Sequence, residues 1–365
     1  MLKNIGGMQR VSMQLAGEME ASPDVELHTL TQETGWKFIG LKTAFFMARL
    51  FLFLPSYVRK TDADVVLFSS MVTGTMAWFI GNRVKKPMIT ITHGHDVTMG
   101  LSPYQWFLRK VFRKLDGVIS VSSATQQECI NRGLSPERSQ VLPNGFDIKD
   151  VEDVPDKPSA REFIAKEFNL DLNGKKLLLT VGRLIKRKGH EWFIREVLTQ
   201  VETDAIYLVI GDGAENAAIS QAVQDTGFQD KVYLAGRQPD EVLSAAYAAA
   251  DLFIMPNIKV TGDMEGFGVV LLEANIRETP AIASDLEGIR DVIKQGENGY
   301  RIAENDKDAF AKKIDKTLTS GELKELSQKS RKYAMGKFNW QQVASDYIKY
   351  LATFVPAERN ETDAR

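Results

Sequence analysis

Two carboxylates, Glu265 and Glu273, bracket the most chemically loaded stretch of this 365-residue chain. The run reads Gly262-Asp263-Met264-Glu265-Gly266-Phe267-Gly268-Val269-Val270-Leu271-Leu272-Glu273-Ala274. Glycines on both sides of Phe267 let the backbone approach a ligand closely. Val269 reads as a helix start, so unpaired N–H groups and the positive end of the helix dipole face the preceding loop. That combination suits an anion. Glu273, inside the helix, carries a side chain able to reach a sugar hydroxyl. Carboxylates beside an anion site make chemical sense when the ligand also presents hydroxyl donors, as a nucleotide sugar does. The same Gly-x-Gly turn also serves as plain scaffolding in α/β proteins, and an exposed helical Glu is often only solvated.

A second stretch supplies the opposite charge. Val181-Gly182-Arg183-Leu184-Ile185-Lys186-Arg187-Lys188-Gly189 follows a strand pattern directly and gathers four cations. Such a run is commonly a solvated basic loop. As a site it is a clamp for a diphosphate, in which Arg forks onto two phosphate oxygens and Lys supplies a mobile point charge. Fixed cations aimed at a leaving diphosphate stabilise the charge that builds as its bond breaks. They would also remove the need for a bound metal.

The elements that must position these residues follow from hydrophobic patterning. Val65–Phe68, Met88–Ile91, Gly117–Val121 and Gln140–Leu142 read as buried strands. So do Leu177–Val181, Ile206–Ile210, Val232–Leu234, Leu252–Met255 and Ala281–Ala283. Helical patterns such as Met8–Met19, Arg161–Phe168, Trp192–Gln200 and Asp240–Ala249 lie between many of them. Buried strands alternating with helices predict parallel sheets covered on both faces. The pattern pauses over the charged, proline-bearing Asp147–Pro158, which reads as a linker. The expectation is α/β, with two Rossmann-like domains facing each other across a cleft lined by strand-to-helix loops. The first domain covers residues 1–150 and the second 151–339. An amphipathic helix at about 340–356 docks back on the first, and the polar tail after Pro356 frays.

Composition sets the outer limits. Apolar residues make up 44% and charged residues 26%, ordinary for a water-soluble fold. A net charge of −2 gives no global field for nucleic acid. The lone Cys129 excludes an internal disulfide and a Cys-based zinc site. A cytoplasmic location fits, because Met1–Gln9 lacks the apolar core of a signal peptide. His93-Gly94-His95-Asp96 is the one place with metal-ligand types close together, and no further ligand cluster supports it.

Gly-Arg-x-x-x-x-Lys-Gly after a strand, followed further on by Glu-Gly-Phe-Gly-x-x-x-x-Glu-Ala, resembles the GT-B-fold retaining glycosyltransferases of family 4 (glycosyl transferases group 1). The likeness extends over almost the whole chain. Gly6-Gly7-Met8 resembles the family's amino-terminal Gly-Gly loop, and Thr92-His93-Gly94-His95-Asp96 resembles the loop with its active-site histidine. Val121-Ser122, Pro143-Asn144-Gly145, Leu234-Ala235-Gly236 and Gly296-x-x-Gly299 fall where the family has similar signals. Carried over by motif, Arg183 and Lys188 grip the donor diphosphate, with Gly6 and Gly7 approaching it or the acceptor. Glu265 faces the transferred sugar, Gly266, Phe267 and Gly268 support it through their backbone, and Glu273 binds the ribose. Gly236 and Arg237 fall in the base region, and His93 lies near sugar and acceptor. The implied activity is transfer of a sugar from a nucleotide-sugar donor to a glycan or glycolipid acceptor for cell-surface polysaccharide. The resemblance implies no cofactor and no metal. Retention proceeds by a covalent sugar–enzyme species or by same-face displacement, and the resemblance favours the second. A GT-B phosphorylase and an inactive, truncated nucleotide-sugar-binding protein are the alternatives. Against the latter stands the joint presence of Arg183, Lys188, Glu265 and Glu273, polar residues with no evident packing role.

Two departures matter. After Pro280 the family often has Val-Ile-x-x-x-x-Gly-Gly, whereas this chain has Ala281-Ile282-Ala283-Ser284-Asp285-Leu286-Glu287-Gly288, which adds Asp285 and Glu287 near the sugar site. The family also opens with a full strand before the Gly-Gly loop, and here only Met1–Ile5 precede it. A mid-sheet strand buries several side chains at about 1.5–3 kcal/mol each, comparable with a total stability of about 5–15 kcal/mol. The expectation is therefore a chain missing its first strand. Finally, Trp36–Lys60 and Tyr104–Lys114 mix aromatic with basic residues and hold no acid. Such stretches lie on an anionic membrane surface or form core helices with a basic rim. Leu41–Val58, broken by Lys42, Arg49 and Pro55, reads as too polar to span a bilayer.

Overall fold

Short β-branched runs bounded by turn residues become parallel strands, and the intervening amphipathic segments become their covering helices. The computed structural model describes residues 7–32, 39–147 and 154–356. These divide into two units, one from Met1–Gly145 with Trp340–Arg365 and the other Phe146–Asn339.

In the first unit, β1 (Val66–Phe68), β2 (Met88–Thr92), β3 (Gly117–Ser120) and β4 (Ser139–Val141) pair in that order, all parallel. Val66 faces Met88, Ile89 faces Gly117 and Val118 faces Ser139. β2 and β3 are buried throughout, the signature of a sheet covered on both faces. The helix Trp340–Ala352 belongs to this unit. Trp340 Nε1 donates to Gln14 of the helix Gly7–Ala21 at 3.2 Å, and the Tyr347 hydroxyl donates to the Leu142 carbonyl at 3.3 Å. Cys129 lies in the core beside Thr92, and burial pushes its thiol up to about 12. The strand sought ahead of Gly6 falls on residues outside the described set, as do Gly6, Trp36 and Lys37.

The helix Ile39–Thr61 has two characters. Leu50, Leu54 and Val58, spaced one turn apart, pack into the core with Phe46 and Met47. Leu41, Phe45, Leu52 and Phe53 stay exposed, interleaved with exposed Lys42 and Arg49. The segment is more apolar than its sequence reading allowed: Gly40–Thr61 is long and apolar enough to cross a membrane, with mean hydropathy 1.3. Its Leu50, Leu54 and Val58 face packs on the unit's core.

The second unit holds a six-stranded parallel sheet in the order β10-β9-β8-β5-β6-β7. Its strands are β5 (Lys176–Val181), β6 (Ala205–Ile210), β7 (Val232–Gly236), β8 (Leu252–Met255), β9 (Ala281–Ser284) and β10 (Gly299–Ile302). β10 was not read from sequence. It is an edge strand, and Gly-Tyr-Arg-Ile lacks an apolar run. The linker reading of 147–158 ends in a helix: Asp156 caps Lys157–Phe168 through the Ser159 N–H at 3.0 Å, with Pro158 in the first turn.

Candidate active site

β5 sits between β6 and β8, so the chain leaves it toward one side and later returns on the other. Strand order reverses there, and open α/β sheets bind ligands at the carboxyl ends of such a pair. The loop after β5 carries Gly182–Gly189 and the loop after β8 carries Pro256–Gly268. Both charged stretches of the sequence therefore converge on the switch point.

The β5 loop is locked by close backbone approach. Gly189 has φ +67°, and a Cβ there would lie 2.0 Å from the Pro256 carbonyl oxygen, so only glycine joins the two loops. The 3-10 turn Lys186–Lys188 aims its side chains apart. Arg187 and Lys188 turn inward, while Arg183 and Lys186 stay exposed. Arg187 Nε donates to Asp263 Oδ1 at 3.1 Å, and its Nη1 donates to Glu265 Oε2. Lys188 Nζ donates to the same oxygen at 2.6 Å, and Asn257 Nδ2 at 3.1 Å. Glu265 Oε2 thus takes three donors, leaving Oε1 as the acceptor for a hydroxyl. Burial pushes the Glu265 carboxyl up, but Lys188 and Arg187 outweigh it and hold it down at about 2.

This corrects two expectations. Lys188 is a buried, fixed partner of Glu265 rather than a mobile charge, and neither residue lacks a packing role. A diphosphate reaching Lys188 would share it with Glu265. Arg183 is exposed and forms no ion pair among the described residues. Arg187, the innermost cation, was one of a run of four in sequence, and nothing there set it apart from Arg183. Asn257 and Asp263 were missed as well. A polar residue immediately after a strand at the switch point was the available signal for Asn257.

The other predicted residues fall on the same edge of the sheet. Phe267 buries its ring edge-on against Phe338, centroids 5.8 Å apart, and Gly266 and Gly268 on either side of it are buried as well. Glu273, on the helix Val269–Asn275, accepts from the Tyr247 hydroxyl at 2.8 Å. Gly236 ends β7 and accepts the Gly211 N–H at 2.8 Å, and Arg237 reaches Asp212 at 3.5 Å. Asp285 is neutralised by Arg290 at 3.0 Å and Arg301 at 3.3 Å. Glu287 accepts the N–H of Glu265, and its own backbone sits at φ +45°, which costs a non-glycine residue about 1–2 kcal/mol.

In the first unit, His93 follows β2. Its Nε2 lies 2.9 Å from the Ser69 carbonyl, which only accepts, so Nε2 is the donor and Nδ1 is the ring nitrogen not used in this bond. Asp96 ties two loops together. Its Oδ2 accepts the Met71 N–H at 2.9 Å and its Oδ1 the His93 N–H at 2.8 Å. Both carboxylate oxygens are thus engaged by backbone. No group of three or more His, Cys, Asp or Glu is placed to hold a metal among the described residues. Gly7 opens its helix with empty space around it.

Two family profiles match the chain. The profile of glycosyl transferases group 1 matches residues 161–335, and that of glycosyltransferase family 4 matches residues 5–150. The chain is a group 1, family 4 glycosyltransferase. This glycosyltransferase is 27% identical to a phosphatidyl-myo-inositol mannosyltransferase of Mycobacterium leprae, over 95% of this chain and 93% of that one. It is 28% identical to the amylovoran biosynthesis glycosyltransferase AmsK of Erwinia amylovora, covering 71% of this chain and 63% of the relative. Among solved structures, HepE of Anabaena in complex with UDP and glucose superposes with a TM-score of 0.72 at 18% identity, covering 95% and 96% of the two chains. That likeness fixes the glycosyltransferase's fold as GT-B.

Proposed function

We propose that the enzyme moves a hexose from a nucleotide-sugar donor to a glycan or glycolipid acceptor in cell-surface polysaccharide synthesis, with retention at the anomeric carbon. The observation that carries this reading is the buried Arg187–Lys188–Asp263–Glu265 cluster at the strand-order reversal, with Arg183 exposed beside it. Arg183 and Lys188 take the diphosphate, and Gly7, with Gly6, serves it or the acceptor. Glu265 offers Oε1 to a sugar hydroxyl, and the Gly266–Gly268 backbone supports the sugar. Glu273 takes the ribose, and Gly236 and Arg237 flank the base. His93 serves the acceptor side through Nδ1. The acceptor hydroxyl bonds to the anomeric carbon on the face the diphosphate leaves. The carbon–oxygen bond to phosphate breaks, and the proton passes to the departing phosphate oxygen. In this reading Arg183 and Lys188 supply the charge that a metal or other cofactor would otherwise bring. The UDP and glucose held by HepE, and the lipid and polysaccharide products named for the relatives, support donor and acceptor classes.

The same reading places the protein in the cytoplasm, peripheral on the inner face of the membrane. Exposed Leu41, Phe45, Leu52 and Phe53 share a helix with Lys42 and Arg49, and Lys110 Nζ lies 3.6 Å over the exposed Trp106 ring. Apolar and cationic groups on one surface suit an anionic leaflet.

Calorimetry with UDP, GDP and ADP tests the donor site. Arg183→Ala should weaken the preferred nucleoside diphosphate about tenfold, or ~1.4 kcal/mol, and leave the unliganded melting temperature unchanged. If none of the three nucleotides binds at millimolar concentration, the donor assignment fails.

A further inference from the structure

The loop after β9 contains a carboxylate that its backbone alone would not select. Glu287 holds φ +45°, a conformation that glycine adopts without strain. Outliers of this kind concentrate where a side chain is needed for function. The next residue explains why the loop cannot relax. A Cβ on Gly288 would lie 2.2 Å from the Gly266 carbonyl oxygen, and the Gly288 N–H donates to the Glu265 carbonyl at 3.1 Å. The loop is therefore pressed onto the Glu265–Phe267 backbone. From there one oxygen of the Glu287 carboxylate takes the Glu265 N–H.

The neighbouring carboxylates each have a cation in contact, and Glu287 does not. Asp263 and Glu265 share Arg187 and Lys188. Asp285 has Arg290 and Arg301. Glu287 forms no ion pair among the described residues; its carboxylate is held by the Glu265 N–H, and Arg187 acts on it only at longer range. Burial holds its carboxyl above the usual carboxylate range; the Glu265 N–H and Arg187 oppose that rise, and Glu265 and Asp263 add to it.

We propose that Glu287 selects the donor sugar: it accepts a hydrogen bond from a neutral hexose hydroxyl and repels a sugar that carries its own carboxylate. This rests on the nucleotide-sugar reading above and goes beyond it by naming the class accepted and the class rejected. Hydrogen bonding to a hydroxyl and like-charge repulsion both act on the sugar and leave the diphosphate untouched, so the effect is one of discrimination.

The test measures dissociation constants for UDP, UDP-glucose and UDP-glucuronate, with GDP, GDP-mannose and GDP-mannuronate as a parallel set, on the full chain and on Glu287→Gln. The amide keeps a hydrogen-bond acceptor for the Glu265 N–H and removes the charge. The parent should bind the hexose at least tenfold more tightly than the uronate, and Glu287→Gln should narrow that ratio to under threefold with nucleoside diphosphate affinity unchanged. Glu287→Gly, which relieves the positive φ, should narrow it as well. A ratio unmoved in both variants, or no preference in the parent, overturns the inference while the nucleotide reading stands. Failure of both bare diphosphates to bind overturns the nucleotide reading and this inference together.

Discussion

The two units treat apolar and charged groups in opposite ways. Among the described residues, Phe163 is the single large hydrophobic side chain exposed in the second unit. The first unit exposes Leu41, Phe45, Leu52, Phe53, Trp78, Phe79, Leu101 and Trp106, among others. The second unit instead buries charge, with Arg187, Lys188 and Glu265 held in one network. A buried ion pair costs desolvation and contributes little net stability, but removing one member leaves an uncompensated charge. The second unit thus fixes a charged network in place, and the first presents more apolar side chains at its surface.

The sharpest way to break that contrast is to delete one site residue from each unit. Glu265→Ala leaves the buried Lys188 without its carboxylate and Arg187 with Asp263 alone, so we expect a loss of about 3–5 kcal/mol in stability and at least about a hundredfold in turnover. His93→Ala removes a half-buried side chain whose partner is one backbone carbonyl. Turnover should fall while unfolding free energy changes by under about 1 kcal/mol. Denaturant melts beside sugar-transfer assays check both, and equal destabilisation by the two would erase the distinction.

Acid should act on the second unit first. Burial, with Lys188 nearby, depresses the His190 imidazole to about 3, against 6.5 when unfolded. The unfolded chain therefore binds more protons between those values, and stability falls as pH drops from 6.5 toward 3. Glu265, depressed from 4.5 to about 2, adds to the loss between those values. The combined effect at pH 4 is of the order of a few kcal/mol. Hydrogen exchange at pH 4 and pH 7 should show β5 and β6 losing protection more than β2 and β3. Uniform loss would contradict the assignment.

Glycine substitutions give a smaller, graded comparison. Gly288→Ala drives a Cβ against backbone at 2.2 Å, whereas Gly74→Ala in the first unit meets the Thr90 side chain at 2.5 Å. Overpacking costs about 1–3 kcal/mol, and the backbone clash should sit at the upper end, as read by melting temperature. Smallest in free energy is the surface effect. Phe45→Ser with Phe53→Ser should reduce sedimentation with anionic liposomes about tenfold, or ~1.4 kcal/mol, without altering nucleotide affinity. Unchanged sedimentation would leave the exposed aromatics without a membrane role.

Much of the framework was readable from the chain, because buried parallel strands are continuous apolar runs and Leu177–Val181 or Ile206–Ile210 have no other use. β10 escaped because an edge strand need not be apolar. The helical run Trp192–Gln200 was readable, but its π turn Phe193–Val197 was not, since hydrogen-bond register leaves no compositional trace. The motif order singled out Arg183, Lys188, Glu265 and Glu273 as candidates. Which cation turns inward depends on loops distant in sequence, so Arg187 looked no different from its neighbours. The role of Asp96 was equally hidden, because its ligands are backbone amides.

Cys129 has a practical consequence. It is the chain's one sulfhydryl, it is fully shielded, and its proton is held to about pH 12. Alkylating dyes therefore pass over the native enzyme and modify it only when the sheet around Thr92 opens. A single-colour labelling time course would report excursions of that unit alone, with the other half of the chain silent.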